Sequence, residues 1–294
     1  MVVHQPVMID EVLNNLPQDS RYIFDWTLGH GWHTKAILKH LEENDKLEDV
    51  NLIGVDRDPN ILTKAKKRLN KYKNKIHYFQ NSYGSIESIL SEVWVDKLDA
   101  ILLDLWVNME HLKDPDRGFS VQKKGPLDMR FDTTQDFTAY DYLSKTSKDE
   151  MIKDMSKYGD FREWKSMKIV RNIKKAINSS SINDTLELVE VLKDANVYYK
   201  KIPVVFQVIR IKVNKELEQL EKFLEVFSKF MAKGGVCLIM TYHSIEARIV
   251  KYAFQDIHDK DDDFKEIEVI KPHYKEVQNN KAARSAQLRV FRRD

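Results

Sequence analysis

Glycine is scarce in this chain, with 9 among 294 residues, where an average protein carries about 7%. Turns of positive φ and close approaches of backbone to a ligand favour glycine, so a chain with so few has little material for glycine-rich loops. Cysteine is scarcer still. Cys237 stands alone, which excludes an internal disulfide and fits a reducing cytoplasm. Set in an apolar run, it reads as a small core residue rather than a nucleophile. No apolar stretch approaches the roughly 18 residues that span a bilayer. The start, Met1-Val2-Val3-His4-Gln5-Pro6, lacks the basic and apolar regions of a secretion signal. A soluble cytoplasmic protein is expected. An excess of charge of one sign is missing too: the net charge is +2, so any contact with a polyanion must be local. One basic patch runs from Arg284 to Arg293, and a final strand with solvated arginines explains it equally well.

What is present is enough apolar material, 42% of 294 residues, to build a sizeable core and rule out global disorder. The first hundred residues alternate strand and helix. Strands are expected at 22–24, 51–56, 76–80 and 98–104, and helices at 34–41, from Pro59, and at 86–93. Leu98 to Asp104 is nearly continuous apolar sequence, as suits a strand buried on both faces. That order implies a parallel, doubly wound α/β sheet. The alternation then stops. Residues 110–201 show no strand pattern: a polar loop over 111–134 precedes helical stretches at 148–157, 163–177 and 184–192. A long helix is expected from Pro203, its stripe running through Phe206, Ile209, Val213, Leu217, Leu220, Leu224, Phe227 and Met231 in steps of three and four. Gly234-Gly235 would stop it. A strand at 236–240, a helix at 245–254 and strands at 264–270 and 287–291 complete the chain. The expected division is a discontinuous domain of residues 1–109 and 202–294 with an inserted helical subdomain, 110–201.

Chemistry is expected at the carboxyl ends of the strands, where open α/β sheets bind ligands. The first strand-to-helix loop, Asp25-Trp26-Thr27-Leu28-Gly29-His30-Gly31-Trp32-His33-Thr34, holds only two glycines of a dinucleotide turn. Asp56 ends the second strand, where an acid accepts hydrogen bonds from both ribose hydroxyls of a nucleotide cofactor; a helix cap beside Asp58-Pro59 is the bland alternative. Asp104 ends the fourth strand. The missing third glycine argues against a pyrophosphate and against an NAD-dependent dehydrogenase. Asp25 and Asp104 suit the sulfonium and amino groups of S-adenosylmethionine. No metal is expected.

Motifs in order carry a resemblance: His4-Gln5-Pro6-Val7-Met8, the Asp25–Thr34 loop, Asp56-Arg57-Asp58-Pro59, Leu102-Leu103-Asp104-Leu105, Asp114 to Ser120, Gly125 to Arg130, Phe206 to Leu217, His243-Ser244-Ile245-Glu246 with Arg248-Ile249-Val250-Lys251, and Ala283 to Ala286. From His4 to its end the chain resembles the bacterial small-subunit (16S) ribosomal RNA cytosine-N4 methyltransferase family. The resemblance implies a class I (Rossmann-like) S-adenosylmethionine-dependent methyltransferase sheet with an inserted helical, RNA-recognising subdomain. It places the cofactor against Gly31, Trp32, His33, Asp56, Tyr83, Asp104 and His111. Its substrate would be a cytidine in the decoding region, on small-subunit RNA or the assembled subunit; nothing in the sequence argues against a homo-oligomer. Asp104 and Asn108 are the first candidates for the reaction, with Asp128 and His243 behind them. Arg117, Arg130 and Arg210 are candidates to hold RNA phosphates, with solvated or paired arginines as the alternative.

Tryptophan departs from the family pattern. Trp26, Trp32 and Trp106 stand where the family has glycine (or alanine at the first), and Trp94 where glycine is frequent. Some bacteria read UGA as glycine, and a gene of that kind translated with UGA as tryptophan would show this pattern; UGG codons at positions 26, 32 and 106 would end the idea. The second functional reading follows from the same residues: a cofactor-impaired, non-catalytic RNA-binding assembly factor, its pocket filled by Trp32 and Trp106.

Overall fold

A computed structural model describes residues 6–82, 85–107 and 109–294, with Met109 and Ala282 described in backbone only. The chain divides into two compact units, residues 1–106 with 217–294, and residues 107–216. The first unit carries a seven-stranded sheet. Its strands are β1 (Tyr22–Asp25), β2 (Asn51–Asp56), β3 (Ile76–Gln80), β4 (Leu98–Asp104), β5 (Met231–Thr241), β6 (Phe264–Ile270) and β7 (Gln287–Arg293). They lie in the order β3-β2-β1-β4-β5-β7-β6. Neighbours from β3 to β5 pair in parallel, and β7 runs antiparallel to both β5 and β6.

Alternation along the strands splits the core in two. Ile23, Leu52, Ala100, Leu102, Val236 and Leu238 face one side of the sheet. Phe24, Ile53, Ile101, Leu103, Cys237 and Ile239 face the other, as a side-chain period of two requires. Helices α1 (Ile9–Asn15), α2 (Trp32–Glu43) and α3 (Pro59–Arg68) cover the first side. On the second lie α4 (Ile86–Glu92), α11 (Glu216–Val226) and α12 (Ser244–Lys260). Cys237 is fully buried there, and burial pushes its thiol well above the ordinary value. A short helix, α13 (Tyr274–Asn279), precedes β7.

The second unit is helical: α5 (Met109–Lys113), α6 (Ala139–Lys145), α7 (Lys148–Gly159), α8 (Glu163–Asn178), α9 (Thr185–Asp194) and α10 (Ile202–Asn214). Its loop from Asp114 to Arg130 turns at Gly118, where φ is +72° and a Cβ would stand 2.1 Å from the Pro126 carbonyl oxygen. Buried Asn214 pins that loop: its Nδ2 donates to the carbonyls of Met129 and Arg210, and its Oδ1 accepts from the Phe131 amide. No helix among the described residues is long and apolar enough to cross a membrane.

The single long helix expected from Pro203 is two helices. The chain takes left-handed backbone at Lys215 (φ 50°) between α10 and α11. The apolar stripe passes from one core to another at this point: Phe206, Ile209 and Val213 pack in the helical unit, Leu220, Leu224 and Phe227 against the sheet. Hence α10 belongs with the inserted unit, and the unit's boundary falls at 216 rather than 201. Gly234 and Gly235 lie inside β5 rather than ahead of it, beside the register shift between Leu98 and Ala100. The C-terminal arginines are engaged internally. Arg289 is buried and paired with Glu266, Arg292 donates to the Asn15 carbonyl, and Arg293 to that of Met231.

Trp94 ends α4 in a Schellman turn, with Val95 N donating to Leu90 O and Trp94 N to Ser91 O. Its φ is 57° and its side chain is 92% exposed, so the indole gains no packing to offset left-handed strain. Glycine removes that strain. Trp94→Gly should therefore stabilise the protein by about 1 kcal/mol, read as a higher midpoint in urea unfolding at unchanged slope.

Candidate active site

Register brings three carboxylates to one rim. Asp25 pairs with Gly54 on β2 and with Leu102 on β4, so Asp56 and Asp104 each lie two residues beyond it on the flanking strands. At a strand spacing of ~4.8 Å, the two outer acids are about 10 Å apart across β1. β1 and β4 also flank the switch point of the sheet, the crevice where ligands bind in this architecture.

The loop from Trp26 to Gly31 is anchored to both neighbours. Trp26 N donates to Leu102 O, Leu28 N to Val55 O, and the Asp104 amide to Thr27 Oγ1 at 2.6 Å. Asp56 accepts from the amides of Gly29 (2.8 Å) and Asp58 (2.9 Å). The cap of α3 is Asp58 itself, so the helix-cap alternative for Asp56 fails. Gly31 has φ +74°, and a Cβ there would meet Leu69 Cδ1 at 2.7 Å; the glycine lets α2 start against α3.

Asp25 is fully buried. Burial lifts its carboxyl to about 6, against the lowering effect of the Thr34 hydroxyl bond (2.5 Å), the His33 ring and the Thr27 amide; the charge of Asp104 raises it further. Asp104 accepts from the Tyr242 hydroxyl at 2.8 Å, and His33 Nδ1 lies 3.7 Å from its other oxygen. His33 Nε2 meets the Val7 carbonyl at 2.9 Å, tying the N-terminal segment to the rim. Burial and the neighbouring Asp104 push the Tyr242 phenol well up, so it is a standing donor. Nothing in the sequence distinguished Tyr242; its role comes from β5 lying next to β4.

Other expected residues lie elsewhere or are engaged. Tyr83 and Asn108 fall outside the described residues. His111 is buried in the helical unit, in a triangle of rings with Phe119 (5.4 Å) and Phe131 (5.2 Å), themselves 5.5 Å apart. Arg117 donates to the carbonyls of Arg130 and Phe131, Arg130 pairs with Asp128, and Arg210 grips Glu216 through Nε and Nη2. Arg130 and Arg210 are thus ion-paired, and Arg117 is held by main-chain carbonyls. Burial pushes the Asp128 carboxyl up, but the bonds and charge of Arg130 outweigh it and hold it below its ordinary value. His243 caps α12 by accepting from the Glu246 amide; its Nε2 lies 2.7 Å from Glu246 Oε1 but too poorly aligned for a hydrogen bond.

The indoles pack on protein. Trp26 is buried between Phe24 (4.1 Å) and Phe223 (5.8 Å). Trp32 lies under the Arg68 guanidinium at 3.9 Å, and Trp106 against Tyr242 at 4.6 Å.

A sheet of this order, closed by an antiparallel β7 and rimmed by acids on β1, β2 and β4, defines a class I S-adenosylmethionine-dependent methyltransferase. The acids fit that cofactor: ribose hydroxyls need an acceptor such as Asp56, and a cation is favoured beside Asp25 and Asp104. The model of the MraW methylase family matches residues 1–294, and the chain belongs to that family. It is 36% identical over 319 residues to ribosomal RNA small subunit methyltransferase H of Clostridium botulinum (strain Loch Maree), covering 99% of this chain and 98% of that protein. Identity to the proteins of the same name is 37% in Fusobacterium nucleatum (99% and 96% covered) and 34% in Thermotoga neapolitana (98% and 95%).

Two predictions follow from the rim. Between about pH 4 and about 6 folded Asp25 keeps a proton that the unfolded chain has released, so its contribution to stability falls as pH rises through that window. Asp25→Asn should stabilise the apoprotein at pH 7.5, by roughly 3 kcal/mol at most, and leave it unchanged near pH 3.5; denaturant titrations at both pH values decide. Tyr242→Phe removes one donor to Asp104 without removing the ring. Calorimetric titration should then show S-adenosylmethionine bound more weakly by about 1 kcal/mol, with the variant still folded by circular dichroism.

Proposed function

We propose that this chain methylates the N4 amine of a cytidine in the decoding region of small-subunit ribosomal RNA. The observation that carries the methyl-transfer half is the meeting of Asp25, Asp56 and Asp104 at one rim. The names of relatives matched along nearly their full length support the RNA half.

S-adenosylmethionine supplies an electrophilic methyl group on a sulfonium. The chain's own residues bind, orient and exclude water. Asp56 would accept from the ribose hydroxyls, held in place by the Gly29 and Asp58 amides. Asp25 and Asp104 would face the cationic end, and the Tyr242 hydroxyl keeps one Asp104 oxygen fixed. The N4 amine is a poor nucleophile because its lone pair is delocalised into the ring. Alignment and desolvation therefore carry most of the task. An oxygen acceptor for one N4 hydrogen, from Asp104 or Asn108, would localise the lone pair and stabilise the positive charge that develops. The base must be single-stranded or flipped out to reach such a site.

The test is methyl transfer to small subunits lacking the modification, followed by nucleoside analysis. The expected product is N4-methylcytidine; label on another base, or none from either this chain or its Trp32→Gly/Trp106→Gly variant, overturns the proposal. Asp56→Ala should weaken cofactor binding at least tenfold, about 1.4 kcal/mol, since it removes both the ribose acceptor and the anchor of Gly29.

A further inference from the structure

A second site lies in the helical unit, in a groove of about 590 Å³ between α7 and α8, a volume within the range of small-ligand pockets. Trp164, Met167, Lys168 and Arg171 recur at helical spacing on one face of α8 and line it, opposite Lys148 and Ile152 of α7. The core face of α8 carries Ile169 and Ile173, and Val170 at its edge both packs into the core and floors the groove. Trp164 is 62% exposed and Met167 53%, so this face contributes little to folding. Three cations ring the groove, with Asp149 the single carboxylate among its described lining residues.

The aromatic and basic pattern continues past the mouth. Lys165 lies over the Trp164 ring at 5.8 Å and donates through Nζ to the carbonyls of Ala195 and Asn196. That turn leads to Tyr198 and Tyr199, exposed and edge to face at 4.6 Å, with Lys200 over the second ring. An acidic protein partner would need the cations alone. Flat exposed rings interleaved with cations suit a chain of stacked bases and phosphates.

We propose that this groove binds single-stranded RNA, with one base stacked on the Trp164 indole and the flanking phosphates on Lys148, Lys168 and Arg171. This deepens the preceding reading, on which it rests for the identity of the RNA. It gives RNA binding a location other than Arg117, Arg130 and Arg210, whose guanidiniums are engaged within the chain.

The probe is a labelled eight-nucleotide oligouridine, titrated into the full-length protein by fluorescence anisotropy at several salt concentrations. Trp164→Ala should weaken binding about tenfold or more and Trp164→Phe should recover most of it. Lys168→Gln/Arg171→Gln should lower the slope of log affinity against log salt by about 1.4, as loss of two phosphate contacts on a single strand requires. All the changed side chains lie at the surface, and circular dichroism checks that each variant is folded. Equal affinity in Trp164→Ala, or no oligouridine binding by the unaltered chain, overturns the proposal. So does a self-association that Trp164→Ala abolishes while RNA binding stays unchanged, which would make the groove a protein interface. The two proposals fail separately. Methyl transfer to subunits with Trp164-independent oligouridine binding sinks only this one; Trp164-dependent binding without methyl transfer sinks only the other.

Discussion

Asp25 carries a charge in the least favourable place the sheet offers. It is fully buried at the end of the central strand, between two strands that each end on another acid. A carboxylate there is costly in the absence of a cation, as its raised pKa shows, and the surroundings are arranged about that cost. Thr34, on the first turn of α2, donates to one oxygen and the Thr27 amide approaches the other. His33 stands between Asp104 and the N-terminal segment. The sheet order makes this geometry unavoidable, since β1 has β2 and β4 for neighbours and all three run the same way. In the proposed reading, a positive group bound beside Asp25 would recover the stability that this burial costs, a common bargain at functional sites.

Much of this was legible in the sequence because strands buried on both faces have a plain signature. β2 and β4 are apolar runs ending in aspartate, and their boundaries match expectation. Elements whose identity depends on distant partners were less legible. The stripe from Phe206 to Met231 has helical spacing throughout, and nothing local reveals that it serves two cores with a left-handed residue between them. The short α6 escaped notice despite its capping box of Thr138 and Asp141, because seven residues give little periodicity. The partners of the arginines were illegible for a different reason. An arginine looks the same in sequence whether it meets phosphate or, like Arg210, a glutamate six positions away. Tyr242 could be found only once β5 was known to lie beside β4.

The tryptophans separate into distinct physical cases. Trp94 has the backbone of a glycine and no packing to show for it. Trp26 and Trp106 have found aromatic neighbours, yet each buries an indole N–H with no acceptor among the described residues, a deficit of about 1–3 kcal/mol apiece. Trp32 is better placed, its ring sharing a cation–π contact with Arg68. Trp164 shows none of these conflicts: it sits on a regular helical backbone with its ring in solvent. Large side chains at the first four positions coexist with the fold, but at three of them the fold bears visible strain or unmet hydrogen bonding.

The last strand has a consequence for how the molecule is made. β7 does not extend an edge; it slots between β5 and β6, pairing with both. Until residues 287–293 have been synthesised, β5 keeps an open edge and β6 has no hydrogen-bonded neighbour in the sheet. A nascent chain without those residues therefore carries an apolar, unsatisfied strand edge on β5 that invites association or proteolysis. A chain lacking residues 287–293 can form the rim of β1, β2 and β4 but cannot close the flank of the sheet beyond β5.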